Sequence, residues 1–267
     1  MSNEKINKLQ SFLKKEDLEA LAIVPGSNFF YLTGGNFHLL ERPTVLLISK
    51  TNKPIAILPV LEVDSFEKLK LDVDIFEWQD SDGYQSAFDK AFQKIGSLPT
   101  IGIEGQRMRV FESQAIEKAA NKIKIINAHK LISSIRLTKD VEEIEKLKKA
   151  IDIAEKSLEK TLQYVEVGKT EIEIKNFLIQ QLYNYGAEGI AFDPIVLASD
   201  NSALPHGHSR NDYKIIKGDC LLFDFGAIVD GYNSDITRTF FIESVSEEYK
   251  NIYQAVYDAN AIGLKIS

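Results

Sequence analysis

The strongest constraint in this chain is a dipeptide, Asp230-Gly231, set between two apolar, β-prone runs in the stretch KGDCLLFDFGAIVDGYNSDITRTF that begins at Lys217. A two-residue hairpin turn needs φ > 0 at both positions, and Asp-Gly is among the few pairs that tolerate this. A hairpin is therefore expected, and fixing its turn fixes its register: facing residues have numbers that sum to 461, which sets Gly226 opposite Asp235 and Asp224 opposite Thr237. Asp224, Gly226 and Asp235 then share one face. Diagonal neighbours on such a face lie roughly 7 to 8 Å apart at Cα, a gap that carboxylate side chains can close, and Gly226 is expected to leave open volume between them. Around Asp224 the run Cys220 to Ile228 is apolar enough to be buried on at least one face. Two carboxylates aimed into a buried pocket repel each other, and each resists ionisation. One divalent cation, or a pair, relieves both problems, and Asp oxygens suit hard or borderline metals. A plainer role fits the same residues: either Asp caps a turn or pairs with Arg238.

The rest of the composition narrows the class. A chain of 267 residues can bury two cores. With 39 acidic against 32 basic side chains the net charge is -7, and no basic block stands out, so nucleic acid has no electrostatic footprint to bind. Cys220 is the single cysteine; no internal disulfide can form, and its place in the hairpin run marks it as a small buried hydrophobe rather than a nucleophile. The first twenty residues are charged throughout without an apolar signal core, and no run reaches transmembrane length. No membrane is expected as a partner, and the expected location is the cytoplasm.

Residues 5 to 15 set Ile6, Leu9, Phe12 and Leu13 on one face of an amphipathic helix. Short β-prone runs follow at 21–24, 44–49, 54–58, 73–76, 100–103 and 122–126, alternating with helical patterns at 61–69, 84–95 and 110–121. Asn52-Lys53 resembles a hairpin turn, and the other spacings suit crossover helices, so residues 1–130 are expected to form a mixed-sheet α/β domain. His38 lies in a loop flanked by glycines and Pro43, where it either lines a substrate entrance or is simply solvated. The tripeptide Asp80 to Asp82, between Trp78 and Tyr84, is expected to be a solvated connection.

After a short connection near residues 128–137, Thr138 is the expected N-cap of a long helix whose apolar residues Val141, Ile144, Leu147, Ile151, Ala154, Leu158 and Leu162 should face a core. Gly168 is expected to end it, and Thr170 to cap a second helix running to Tyr185. A strand from Asp193-Pro194 to Ala198 leads into a loop rich in Ser, Asn and Asp that carries His206 and His208. Two histidines two residues apart on extended chain could chelate or relay a proton; they could equally be exposed loop residues.

The segments IVLASDNSALPHG and KGDCLLFDFGAIVDGYNSDITRTF resemble the metal-binding half of the creatinase/aminopeptidase P/prolidase family, the pita-bread metallopeptidases. RLTKDVEEIEKLKKAIDIAE is similar to the start of that catalytic domain, and the α/β segment before it fits the family's N-terminal domain. The resemblance spans essentially the whole chain. It implies an α/β creatinase-type N-terminal domain at 1–130, then the first part of an α+β pita-bread catalytic domain at 136–267. It also implies that Asp224 and Asp235 are two of five ligands to a dinuclear site of manganese, cobalt or zinc, with Asp235 bridging. A hydroxide held between the ions attacks the scissile carbonyl, and His206 contacts the substrate and stabilises the tetrahedral intermediate. The implied substrate is a small peptide cut before proline, and the implied assembly a homodimer. Ser209 and Asp200 depart from the family pattern and should alter loop shape more than chemistry.

The three remaining family ligands, a histidine and two glutamates, come from segments downstream of SDITRT, and no histidine follows His208. Glu243, Glu247 and Glu248 sit where a solvated strand end and helix start are expected. The chain is thus expected to be part of a longer enzyme, with an incomplete metal site and no activity alone. Two other readings share the fold: a non-catalytic binding or scaffold protein, and a non-peptidase hydrolase such as creatinase, against which the retention of both Asp224 and Asp235 argues.

Overall fold

The structure is a computed structural model that describes residues 2–120 and 122–266. It divides into two compact units, Met1–Lys139 and Asp140–Ser267. Of the sequence expectations, only the end of the helix at Asn121 and the terminal Ser267 lie outside the described residues.

The first unit is built on a six-stranded sheet. In chain order its elements are α1 (Ser2–Leu13), β1 (Ala20–Ile23), α2 (Ser27–Thr33), β2 (Val45–Ser49), β3 (Ile55–Pro59), α3 (Val60–Glu67), β4 (Asp74–Trp78), α4 (Gln85–Ile95), β5 (Thr100–Ile103), α5 (Val110–Ala119), β6 (Lys124–Asn127) and α6 (His129–Ser134). The strands lie in the order β4-β3-β2-β1-β5-β6. The central strand β2 runs antiparallel to β1 and β3, while β3–β4, β1–β5 and β5–β6 are parallel. Both faces are covered, so β1, β2 and β3 are buried at every position, as expected of strands clad on two sides. Leu21 and Ile23 pack with Leu9, Leu32 and Ile132 on one face, and Ala20 and Ala22 with Phe88, Phe92 and Ile116 on the other.

Three local expectations change. The β2–β3 hairpin pairs Val45 with Ile57 and Leu47 with Ile55, which centres the turn on Thr51 and lengthens the connection to residues 50–54. The Ser49 hydroxyl accepts from the Asn52 amide, and Pro54 has no N–H with which to extend the ladder. Helix α2 joins the elements; Phe29, Tyr31 and Leu32 are all buried, so it shows no amphipathic period to read. Residues 128–137, expected as a connection, contain α6, whose Ile132 seats in the first unit's core together with Ile135.

Beneath α2 lies a buried polar network. Glu104 accepts from the Val24 amide at 2.9 Å and from the Asn28 side chain at 2.8 Å, and Asn28 in turn accepts from Arg136 at 2.6 Å. Burial holds the Glu104 carboxyl above the usual glutamate range, although the donors Asn28 and Val24, and the charges of Arg107 and His129, pull it down. A carboxyl raised on folding stabilises most below its unfolded value, and that contribution is lost as pH rises through the folded value. Glu104→Gln is therefore expected to gain on wild type steadily as pH rises through that window. Urea unfolding followed by fluorescence of the single tryptophan, buried Trp78 of this unit, reads the difference. A gap between the two proteins that stays constant with pH would refute the assignment.

The second unit contains α7 (Val141–Leu162), α8 (Glu171–Asn184), β7 (Gly189–Ile190), β8 (Ile195–Ala198), a 3-10 turn (Ser199–Ala203), β9 (Cys220–Phe225), β10 (Ala227–Val229), β11 (Tyr232–Asn233), β12 (Ile236–Phe241) and α9 (Glu247–Ile266). The strands form two small sheets, β11-β10-β7 and β12-β9-β8. Helix α7 starts two residues later than expected: Asp140, not Thr138, is the N-cap, in a capping box with Glu143. It ends at Leu162, before Gly168. Thr170 caps α8 as the sequence suggests.

The buried stripe of α7 also differs. Ala150, Ala154, Ser157, Leu158 and Thr161 face the core, whereas Val141 is 76% exposed and Ile144 and Ile151 are each 41% exposed. Small side chains let the helix approach the sheet. The hydroxyls of Ser157 and Thr161 can be buried because each donates to the carbonyl four residues earlier. Leu158 packs with Ile174, Leu178 and Leu182 of α8 against Leu221, Phe223 and Phe225.

Candidate active site

The register expected from Asp230-Gly231 is the one observed. Asp230 and Gly231 have φ of 49° and 74°, Val229 faces Tyr232, Asp224 faces Thr237, and Cys220 faces Phe241. The ladder nonetheless changes sheets half-way. On one side of Gly226 the hairpin belongs to β12-β9-β8, on the other to β11-β10-β7. At the crease Ser234 donates its amide to Ala227 O and accepts the Ala227 amide on Oγ, both at 2.9 Å, and Gly226 O accepts from Ala191. Gly226 does not leave open volume: a Cβ there would stand 1.8 Å from Ser234 O and 2.9 Å from Ala191 Cβ. The glycine admits a backbone, not a ligand.

Side chains alternate across a strand, so with Leu221, Phe223 and Phe225 turned into the core, Asp224 faces away from it. The two carboxylates are accordingly not in a buried pocket: Asp224 is half-buried and Asp235 exposed. Thr237 Oγ1 donates to Asp224 Oδ1 at 3.0 Å. Arg238 binds the Thr237 carbonyl. On this face opens a groove of about 1010 Å³ between the sheet, the 3-10 turn and α9, with Leu222, Thr237 and Tyr253 in its wall. Cys220 lines it too and is half-buried rather than buried, its sulfur 3.0 Å from Ser202 Oγ.

The histidine loop leaves β8, which pairs with β9 so that Ile195 faces Asp224. His206 and His208 are both exposed, and His206 adopts φ 55°. The loop is tied down around them. Ser209 Oγ donates to Val196 O at 2.8 Å and Asn201 Nδ2 to His208 O at 3.0 Å. Fully buried Glu171, at the first position of α8, accepts from the Ala198 amide, Asn201 Nδ2 and the Arg210 amide at 2.7, 2.8 and 2.5 Å. In sequence a glutamate just after an N-cap looks like a dipole partner, and nothing local distinguishes a buried one.

Two aspartates on one face fit a divalent cation in donor chemistry, being hard anionic oxygens. Among the described residues no group of three or more His, Cys, Asp or Glu side chains could hold a metal ion. Glu243 and Glu247 pair with Lys217 and Lys250. In the first unit, His38 is exposed in its loop, and Asp80 is engaged by Arg42.

Residues 5–138 match the creatinase/prolidase N-terminal domain and residues 145–266 match metallopeptidase family M24. An uncharacterized peptidase of Staphylococcus epidermidis is 30% identical over 261 residues, covering 98% of this chain and 72% of its own length. Among solved structures, a prolidase from Thermococcus sibiricus superposes with a TM-score of 0.88 at 32% identity, over 97% of this chain and 71% of that one. A Xaa-Pro dipeptidase from Bacillus anthracis gives 0.85 at 29% identity, over 97% and 70%. A mixed-sheet unit followed by two helices and two small antiparallel sheets is the architecture of the pita-bread class with its creatinase-type N-terminal domain. The chain belongs to metallopeptidase family M24, with a creatinase-type N-terminal domain and prolidases and Xaa-Pro dipeptidases as its structural neighbours.

Proposed function

We propose that the chain serves an enzyme acting on small peptides of the Xaa-Pro kind, a prolidase or an aminopeptidase P, with Asp224 and Asp235 among the residues holding divalent metal and His206 facing the substrate. The observation that supports this reading is the shared face of Asp224 and Asp235 on one hairpin, in a chain of family M24. A pair of divalent ions supplies, when bound, Lewis acidity at a carbonyl and water acidic enough to attack near neutral pH. Manganese is the first candidate, then cobalt or zinc. The chain's own residues do the rest. The Thr237 hydroxyl occupies one oxygen of Asp224 and holds the carboxylate's orientation. His206, exposed at the tip of its loop, donates to the oxygen that gains charge as the carbonyl is attacked. Because proline's nitrogen carries no N–H, recognition rests on ring shape and on the peptide's termini. We expect a homodimer.

Given manganese, the chain alone is expected to cleave neither Ala-Pro nor Ala-Ala, since two carboxylates leave most of each ion's shell to water or other donors; a C-terminally extended form that supplies further donors is expected to cleave only Ala-Pro. Equal cleavage of both dipeptides would overturn the proline assignment. Metal uptake absent altogether, in the extended form as well, would favour a non-catalytic binding protein.

A further inference from the structure

Among the described residues of the second unit, Glu171 is the one fully buried carboxylate that touches neither the hairpin nor either aspartate, yet its bonds converge on the histidine loop. They grip it at three points: the Ala198 amide where the chain leaves β8, the Asn201 side chain at the 3-10 turn, and the Arg210 amide where the loop rejoins the fold. Its first oxygen also lies 3.3 Å from the Arg210 guanidinium, whose Nη2 reaches the Ala198 carbonyl and Asp200. Asn201 passes the grip on, donating to the His208 carbonyl as well. A carboxylate is the only common side chain with acceptors on both ends and no donor, and every group aimed at Glu171 is a donor. Nothing in the stability of α8 itself requires this, because its N-terminus is already capped by Thr170 and Glu173.

We propose that Glu171 is a positioning residue: through Ala198, Asn201 and Arg210 it fixes the loop that presents His206, and so sets where that imidazole meets the substrate. This rests on the peptidase reading for the role of His206, but the restraint on the loop does not. Glu171→Gln keeps the shape and turns an N–H₂ toward a donor, leaving a buried pair unsatisfied.

Hydrogen–deuterium exchange on the full metal-free chain tests the restraint. In Glu171→Gln the amides of residues 199–209 are expected to exchange about tenfold faster or more, with β9, β12 and the later turns of α8 unchanged. Asn201→Ala, which removes one grip point and leaves the carboxylate, is expected to give a smaller change confined to the same segment. Unchanged loop exchange in both variants, or acceleration spread through the whole second unit, would overturn the proposal. The functional half is a double-mutant cycle on Ala-Pro with manganese, run in a C-terminally extended form. If Glu171 acts through His206, Glu171→Gln and His206→Ala each lower kcat/KM, and the double variant is no worse than His206→Ala alone; independent, multiplying losses would refute it. A C-terminally extended wild type that cuts no Xaa-Pro peptide would sink the peptidase reading, and the exchange data would still decide the restraint.

Discussion

Asp235→Asn is expected to abolish metal binding, lowering manganese affinity by more than about a hundredfold in isothermal titration; loss of even an outer partner of a metal ligand costs 10- to 100-fold. The substitution keeps size and shape but removes the charge and replaces one ligating oxygen with an N–H₂ group that cannot ligate. Asp235 is exposed, one residue ahead of β12, and carries no packing load, so the far-UV spectrum should be unchanged and the lost affinity reports the site alone. Thr237→Val replaces only the hydroxyl that orients Asp224 with a methyl, and should weaken binding far less. Retention of two ions per chain in Asp235→Asn would eliminate the bridging role.

Gly226→Ala should be the most damaging single methyl in the second unit. The added carbon meets Ser234 O at 1.8 Å and Ser234 C at 2.8 Å, and these are backbone atoms locked by the reciprocal bonds between Ser234 and Ala227. Relief requires separating the strands at the crease, so a loss of at least about 3 kcal/mol is expected, or failure of this unit to fold. Chemical denaturation followed by circular dichroism measures it. A loss under about 1 kcal/mol would mean that the crease opens easily and that the glycine is not required there.

These two residues also mark how far the sequence could be read. The hairpin register was legible because a two-residue turn leaves no freedom once its dihedrals are satisfied, and Asp230 and Gly231 satisfy them. Strands buried on both faces, such as β2 and β3, were equally plain as apolar runs. What a linear pattern hides is proximity. It took Gly226 for a gap because a missing side chain looks like space, whereas Ser234 O fills it. It put Val141 and Ile151 in the core because it counts large apolar residues, while α7 buries Ala150, Ser157 and Thr161 to come close to its neighbours. Helix α2, buried nearly all round, offered no period. Glu171 was invisible for a similar reason: its partners lie 27 to 39 residues away, and only the folded chain brings them to one carboxylate.

The change of sheets at Gly226 bears on where the two aspartates stand. Asp224 lies on the β12-β9-β8 side, and Asp235 at the fold line itself, one residue before Ile236 pairs with Phe225. Their spacing is therefore set across the line where one sheet gives way to the other, and at that line a carbonyl oxygen rests against a residue with no side chain.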